Sequence, residues 1–238
     1  MTPSLKKRFW TEVSVHSQPN GFAVHLDNHP VRTPAKAPFV VPTKALANAI
    51  ALEWQAQDKN VNPQTMPFTR RANAAIDKVV HRHSEVAQNL AEYGGSDLLC
   101  YRADHPDELC RRQADLWDPI LNWAETRFSA PLTTTIGVMP HAQPSESLAN
   151  LARAVAEFEP FPLAGFYDLV TISGSLVIGL AVVNRFMPVA ALWQAARVDE
   201  IWQEEQWGKD EIASRATALK YQDFLDAESF FHASQMQA

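Results

Sequence analysis

The chain has 238 residues, 46% of them hydrophobic, and 21 Lys+Arg against 27 Asp+Glu give a net charge of −6. That is enough chain for one large domain or two modest ones. The acidic balance argues against a dedicated nucleic-acid binder, which carries a basic face, and against stable attachment to an anionic membrane. The only two cysteines are Cys100 and Cys110, too few for a disulfide framework, so a reducing compartment is expected. They cannot form a CxxC pair, and no second ligand cluster sits nearby. Met1 to Trp10 lacks an apolar h-region, so neither a signal peptide nor a transit peptide is expected. Leu169 to Val183 is the longest apolar run. It is shorter than the roughly 20 residues of a membrane span and reads as one buried helix.

In chain order, the first part reads as β structure. Phe9 to His16 alternates, Pro19-Asn20-Gly21 makes a turn, and Phe22 to Leu26 alternates again. Asp27 to Pro30 makes a second turn. Pro34, Pro38 and Pro42 confine Phe39-Val40-Val41 to a short strand at a sheet edge. From Thr43, a plausible N-cap, the period changes, and Leu46, Ile50 and Trp54 form a helical stripe with Glu53 inside it. Asn60 to Pro67 is the expected hinge. The predicted domains are therefore 1–62, β-rich with one trailing helix, and 63–238, all helical. This is an α+β protein.

The remaining periodicities predict helices. Ala72, Ile76, Val79, His83 and Val86 share one face, ended by Gly94-Gly95. Leu109, Gln113, Leu116, Trp117, Ile120 and Ala124 continue another, with a kink expected at Pro119. Ala130 to Gln143 has no usable period. Ser145 opens a helix through Leu148, Leu151, Val155 and Phe158, stopped by Pro160 and Pro162. Another long helix starts near Pro188, and the last starts at Asp210.

Enzyme signatures are thin. There is no P-loop, no GxGxxG after a strand and no GxSxG elbow; Ser173-Gly174-Ser175 sits in a helical run. His81 and His83 fall about 200° apart on a helix, so they cannot chelate one ion from it. Glu200 and Glu204 lack the companion histidine of a di-metal carboxylate site, and no metal or other cofactor is expected. Cys100 beside Arg102 reads either as a lowered-pKa thiol or as buried bulk, and burial is favoured. Of seven tryptophans, Trp10 and Trp207 lie beside charge and turns and are expected at the surface.

The acid-rich end of the helix from Pro188 is the most informative stretch. Asp199 and Gln203 fall in the apolar arc of Leu192, Ala195, Ala196 and Trp202, while Glu200, Glu204 and Trp207 lie beside it at about 100° per residue. Gly208 supplies a stop, and Asp210 caps the next helix. Such a helix either solvates its acids or faces a partner. As a partner-binding surface it comprises Asp199, Glu200, Gln203, Glu204, Trp207 and Asp210, an exposed tryptophan among acids being typical of contact hot spots. A small-molecule enzyme using Glu53 and Asp199 as acid and base is the alternative reading.

An ordered set of short pieces spans the chain. It runs Lys7-Arg8-Phe9-Trp10, Leu26-Asp27, Val31 to Pro34, Glu53 to Gln57, Met66 to Arg70, Asn73 to Asp77 and Asp97 to Arg102. It continues with Arg112-Gln113, Trp117-Asp118-Pro119, Asp199-Glu200 and Trp207 to Asp210. Together these resemble the assembly-chaperone family that acts on the alpha subunit of the F-type ATP synthase catalytic head. Arg71 and Ile212 depart from the pattern, standing where an apolar residue and an acid are expected. The resemblance implies a non-catalytic chaperone with a β-rich domain before a helical one. It would hold the unassembled alpha subunit until beta subunits take over that surface. It implies a bacterial cytoplasm, or the mitochondrial matrix for the mature form of a eukaryotic member.

Overall fold

Alternation and turn chemistry build the N-terminal sheet. In the computed structural model, which describes residues 7–235, β1 (Val13–Gln18) and β2 (Gly21–Leu26) form an antiparallel hairpin, Val13 facing Leu26 and Gln18 facing Gly21. Asp27 turns the chain with φ of 53° into β3 (His29–Pro30), which pairs back on β2. Its carboxylate accepts from the Thr11 and Glu12 amides at 3.0 and 2.9 Å. β4 (Val40–Val41) pairs with the other end of β2. There Gly21, at φ of 141°, comes so close to the Val41 carbonyl that no side chain fits.

Thr43 caps α1 (Lys44–Gln55) as its sequence position predicts, its hydroxyl accepting from the Leu46 amide at 3.0 Å. Leu46, Ala47 and Ile50 are fully buried, in a helix that packs on β1 and β2. Trp10 is only 4% exposed, contrary to the surface position expected of it. Its ring meets Trp54 of α1 edge-on at 5.3 Å, an aromatic contact that local composition does not report.

Glu53 explains why the stretch after α1 is not a free hinge. Its carboxylate accepts from the Phe68 amide at 2.6 Å, and from the Thr69 amide and hydroxyl at 2.8 and 2.7 Å. It therefore caps the first turn of α2 (Pro67–Asp77), where a negative charge meets the positive helix end. Between the helices, the buried Gln57 accepts from the Asn62 amide at 2.7 Å. Two compact units result. One holds residues 7–83 with Glu159–Gly165 and residues 229–235; the other holds Ser84–Phe158 and Phe166–Glu228. Residues 63–83 thus lie with the sheet, beyond the expected division at residue 62.

The helix expected through Ala72 and Val86 is broken. A 3₁₀ turn over Val79–His81 separates α2 from α3 (His83–Ala91), so His81 and His83 lie on different elements. β5 (Tyr101–Arg102) precedes α4 (Asp107–Phe128), which runs on through Pro119. β6 (Thr135–Ile136) pairs in parallel with β5, so the second part is predominantly rather than wholly helical. After α5 (Ser145–Ala156), Pro160 and Pro162 fall in the first turn of α6 (Pro160–Ser173), where proline is tolerated. Gly174, at φ of 71°, and the Ser175 cap split the expected single buried helix into α6 and α7 (Leu176–Val183). Arg197 divides the next helix into α8 (Val189–Ala196) and α9 (Val198–Trp207), and α10 (Glu211–Ser234) is the last described helix.

Exchanging Glu53 for Gln leaves one side-chain oxygen for three donors and lowers unfolding free energy in urea by about 1–2 kcal/mol. Burial raises the Glu53 carboxyl above its ordinary range, against the opposing pull of Thr69, Phe68 and Arg71. The folded state therefore holds this proton to higher pH than the unfolded chain does. The stability the group contributes is complete below the unfolded pKa and is lost as pH rises through the folded one. The gap between wild type and Glu53→Gln narrows over that window.

Candidate partner-binding face

The break at Arg197 lets α9 start in a new direction, with Val198 buried at its base. The acids of α9 then divide by their angle around the helix. Asp199 accepts from Gln113 Nε2 at 2.7 Å, and the Oε1 of the same glutamine accepts from the Ala103 amide at 2.8 Å. Arg112 donates to Glu205 at 2.6 Å and stacks over the Trp202 ring at 4.9 Å. These contacts fasten one side of α9 to α4. Glu200, Gln203 and Trp207 are all exposed, Trp207 at 81%, on the arc that continues past Asp199 away from Glu205. Glu204 sits at the margin of that arc, paired with Arg197 at 2.9 Å. Gly208, at φ of 89°, ends the helix, and Asp210 accepts from the Ala213 amide at 2.7 Å to start α10.

All six residues predicted from the sequence line one cleft of about 640 Å³. Three of them also have internal work. Asp199 anchors α9, Glu204 pairs with Arg197, and Asp210 caps α10. Glu200, Gln203 and Trp207 remain turned outward. Sequence reasoning missed the opposite wall, which comes from the α6–α7 turn at Ile172, Ser173 and Gly174 and from Ala213, Thr217 and Lys220 of α10. No local pattern links segments this far apart in sequence. Ile212, where an acid was expected, is 80% exposed at the start of α10, so the departure changes the surface and not the core. Arg71, the other departure, is buried and electrostatically coupled to Glu53.

The wall is held from beneath by Asp97, which is fully buried. Its carboxylate accepts from the Ser175 hydroxyl at 2.7 Å and from the Val177 and Leu99 amides at 3.0 and 3.1 Å. Burial pushes this carboxyl upward against those hydrogen bonds. Cys100 lies in the same interior. Burial, reinforced by Asp97 and only partly opposed by Arg102, pushes its thiol up to about 12. It is an inert packed sulfur, not an activated nucleophile. Neither carboxylate of the acid–base reading is free: Glu53 holds the start of α2 and Asp199 holds Gln113. Among the described residues no three His, Cys, Asp or Glu side chains converge as a metal site. No helix among them is long and apolar enough to cross a membrane.

Replacing Asp97 by Asn turns an amide toward backbone donors that now face a carboxylate, and orphans at least one of them. Urea unfolding should show a loss of about 2–3 kcal/mol. An unchanged midpoint would mean that the α6–α7 turn does not depend on this acid.

Residues 7–125 match the family described as ATP12 chaperone protein. Two solved structures of Atp12 from Paracoccus denitrificans, one of them an aspartate-to-lysine mutant, are each 45% identical to this chain with a TM-score of 0.93. Each match covers 97% of this chain, and 98% of the mutant and 99% of the other. The Atu1473 protein from Agrobacterium tumefaciens is 37% identical over 97% of this chain and 87% of its own, also with a TM-score of 0.93. The ordered motifs, the sheet-then-helices architecture and these full-length matches agree: the chain belongs to the ATP12 chaperone family.

Proposed function

We propose that this chaperone binds the unassembled alpha subunit of the F-type ATP synthase catalytic head and covers the surface that alpha later gives to beta. The observation that carries the reading is Trp207, a tryptophan 81% exposed on a helix arc shared with Glu200 and Gln203. A large aromatic left in water beside a cleft suits the buried centre of a partner contact. The surrounding acids suit the polar rim and would meet Arg or Lys of the client. An isolated alpha subunit exposes an interface meant for its neighbours, and such patches promote aggregation. A cap made of one aromatic anchor and a polar rim protects that surface and still yields to the higher-affinity partner. The role is one of binding without catalysis. The bacterial sources of the similar structures support a bacterial cytoplasm as its place of action.

The test is co-expression with separately tagged alpha and beta subunits, followed by affinity capture and size exclusion. A stoichiometric complex with alpha alone, dissolved when beta is added, is the expected result. Glu200→Lys with Gln203→Lys should cut recovery of alpha about tenfold or more while the melting temperature stays within about 2 °C. These two positions are chosen because Glu204→Lys would also break the pair with Arg197. Trp207→Ala should weaken binding by about 2 kcal/mol. No complex with alpha, or equal recovery with the double variant, overturns the reading.

A further inference from the structure

β1 is an outer strand of the sheet in the first unit; among the described residues it pairs only with β2. The Asp27 amide donates to the Glu12 carbonyl at 2.9 Å, which fixes the phase of the ladder. Glu12, Ser14, His16 and Gln18 turn their backbone groups toward β2. Val13, Val15 and Ser17 therefore turn their N–H and C=O groups the other way, along one open edge. No other described strand takes these groups up.

Natural edges are blunted by charge, proline, a bulge or a covering segment. Val13–Gln18 contains no Lys, Arg, Asp, Glu or Pro, and its six residues stay in unbroken register with β2. In place of a cover, a groove of about 1100 Å³ runs along the edge. Its other lining is a stripe of α1 formed by Asn48, Ala51, Leu52 and Gln55. Leu52 is 70% exposed there. The half-buried Val13 and Val15 share the sheet face of Leu26 and Val24, the core residues opposite them. An open ladder edge beside an apolar helix stripe is the geometry that receives an extended peptide as an extra strand.

Charge narrows the choice of occupant. The groove is lined by two acids, Glu12 and Asp27, and by no Lys or Arg. Asp27 is taken up by the Thr11 and Glu12 amides, which leaves the exposed Glu12 carboxylate at the start of β1. A second copy of this chain would bring the same acids and another net charge of −6. A basic segment of a different chain complements the groove instead.

We propose that β1 takes up an extended basic segment of a client as an added antiparallel strand. Antiparallel is the sense of β1, β3 and β4 on β2. The residues opposite Val15 and Val13 then exchange backbone hydrogen bonds with them, and their side chains pack on the same face toward Leu52 and Ala51. The residue that follows faces Glu12 and is Lys or Arg. That the segment belongs to a client rests on the chaperone reading above.

The test follows the backbone amide signals of Val13, Val15 and Ser17 by NMR. The probe is the blocked pentapeptide Thr-Val-Thr-Val-Lys. Beside it stand its Glu-for-Lys counterpart and two backbone-methylated forms, one at both Val nitrogens and one at both Thr nitrogens. The parent peptide should shift the three amides saturably at concentrations up to about 5 mM. Methylation at Val removes the donors aimed at β1 and should abolish the shift, whereas methylation at Thr, whose nitrogens point away, should leave it. The Glu counterpart should bind about fivefold more weakly, and Glu12→Lys, at an exposed side chain, should reverse that preference. No saturable shift, or an equal shift by the Val-methylated form, overturns the proposal. So do amide shifts that follow the concentration of the chain alone, the sign of a second copy on the edge. Absent peptide binding with alpha capture intact removes this edge and leaves the proposed function standing. Peptide binding with no alpha capture keeps the edge and removes the proposed client.

Discussion

The second unit depends on one buried carboxylate. Asp97 gathers the turn before β5 and the start of α7 onto a single side chain through Leu99, Ser175 and Val177. A charge-bearing group this deep is costly unless every lone pair is answered. The positive φ of Gly174 and the Ser175 cap bring the answering donors within reach. α7, whose eight residues are all buried, then starts from a fixed point. The same arrangement sets Leu98 and Gly174 into the wall of the cleft that α9 faces. A polar interaction in the core thus places an apolar and acidic surface at the edge.

The acids of α9 show how a helix can be both held and available. Charges toward α4 are spent internally, in the bonds of Gln113 to Asp199 and Arg112 to Glu205. The charge of Glu200 is left to solvent, where it costs little and helps keep the exposed Trp207 soluble. The proposed client contact needs this asymmetry: the face must be rigid enough to present an anchor, yet shallow enough in affinity to be displaced. Arg197 serves both halves, breaking the backbone between α8 and α9 and pairing with Glu204.

Much of this was legible in the sequence, and the failures share a physical cause. The hairpin, the Thr43 cap, the stop at Gly208 and the cap at Asp210 are decided by neighbouring residues, and each appears as expected. The breaks at Lys78, which ends α2 before the Val79–His81 turn, and at Arg197 are not legible, because neither residue type interrupts helices on its own. Trp10 reads as exposed beside Lys7 and Arg8, yet its ring finds Trp54 more than forty residues away. Glu53 reads as an acid stranded in an apolar stripe; its partners are the amides of the next helix. That six side chains on and just after α9 gather together was readable from helix spacing, but not the division of labour among them, which requires knowing that Gln113 and Arg112 stand opposite. Whatever is settled by chain neighbours could be read. Whatever is settled by a distant side chain could not.

The most direct measurement is hydrogen–deuterium exchange of the chain alone and in complex with separately purified alpha subunit. The account predicts that the amides of α9, from Val198 to Trp207, and of the first turns of α10 become protected on binding. Protection confined to other segments, with α9 exchanging as fast in the complex as alone, would contradict it.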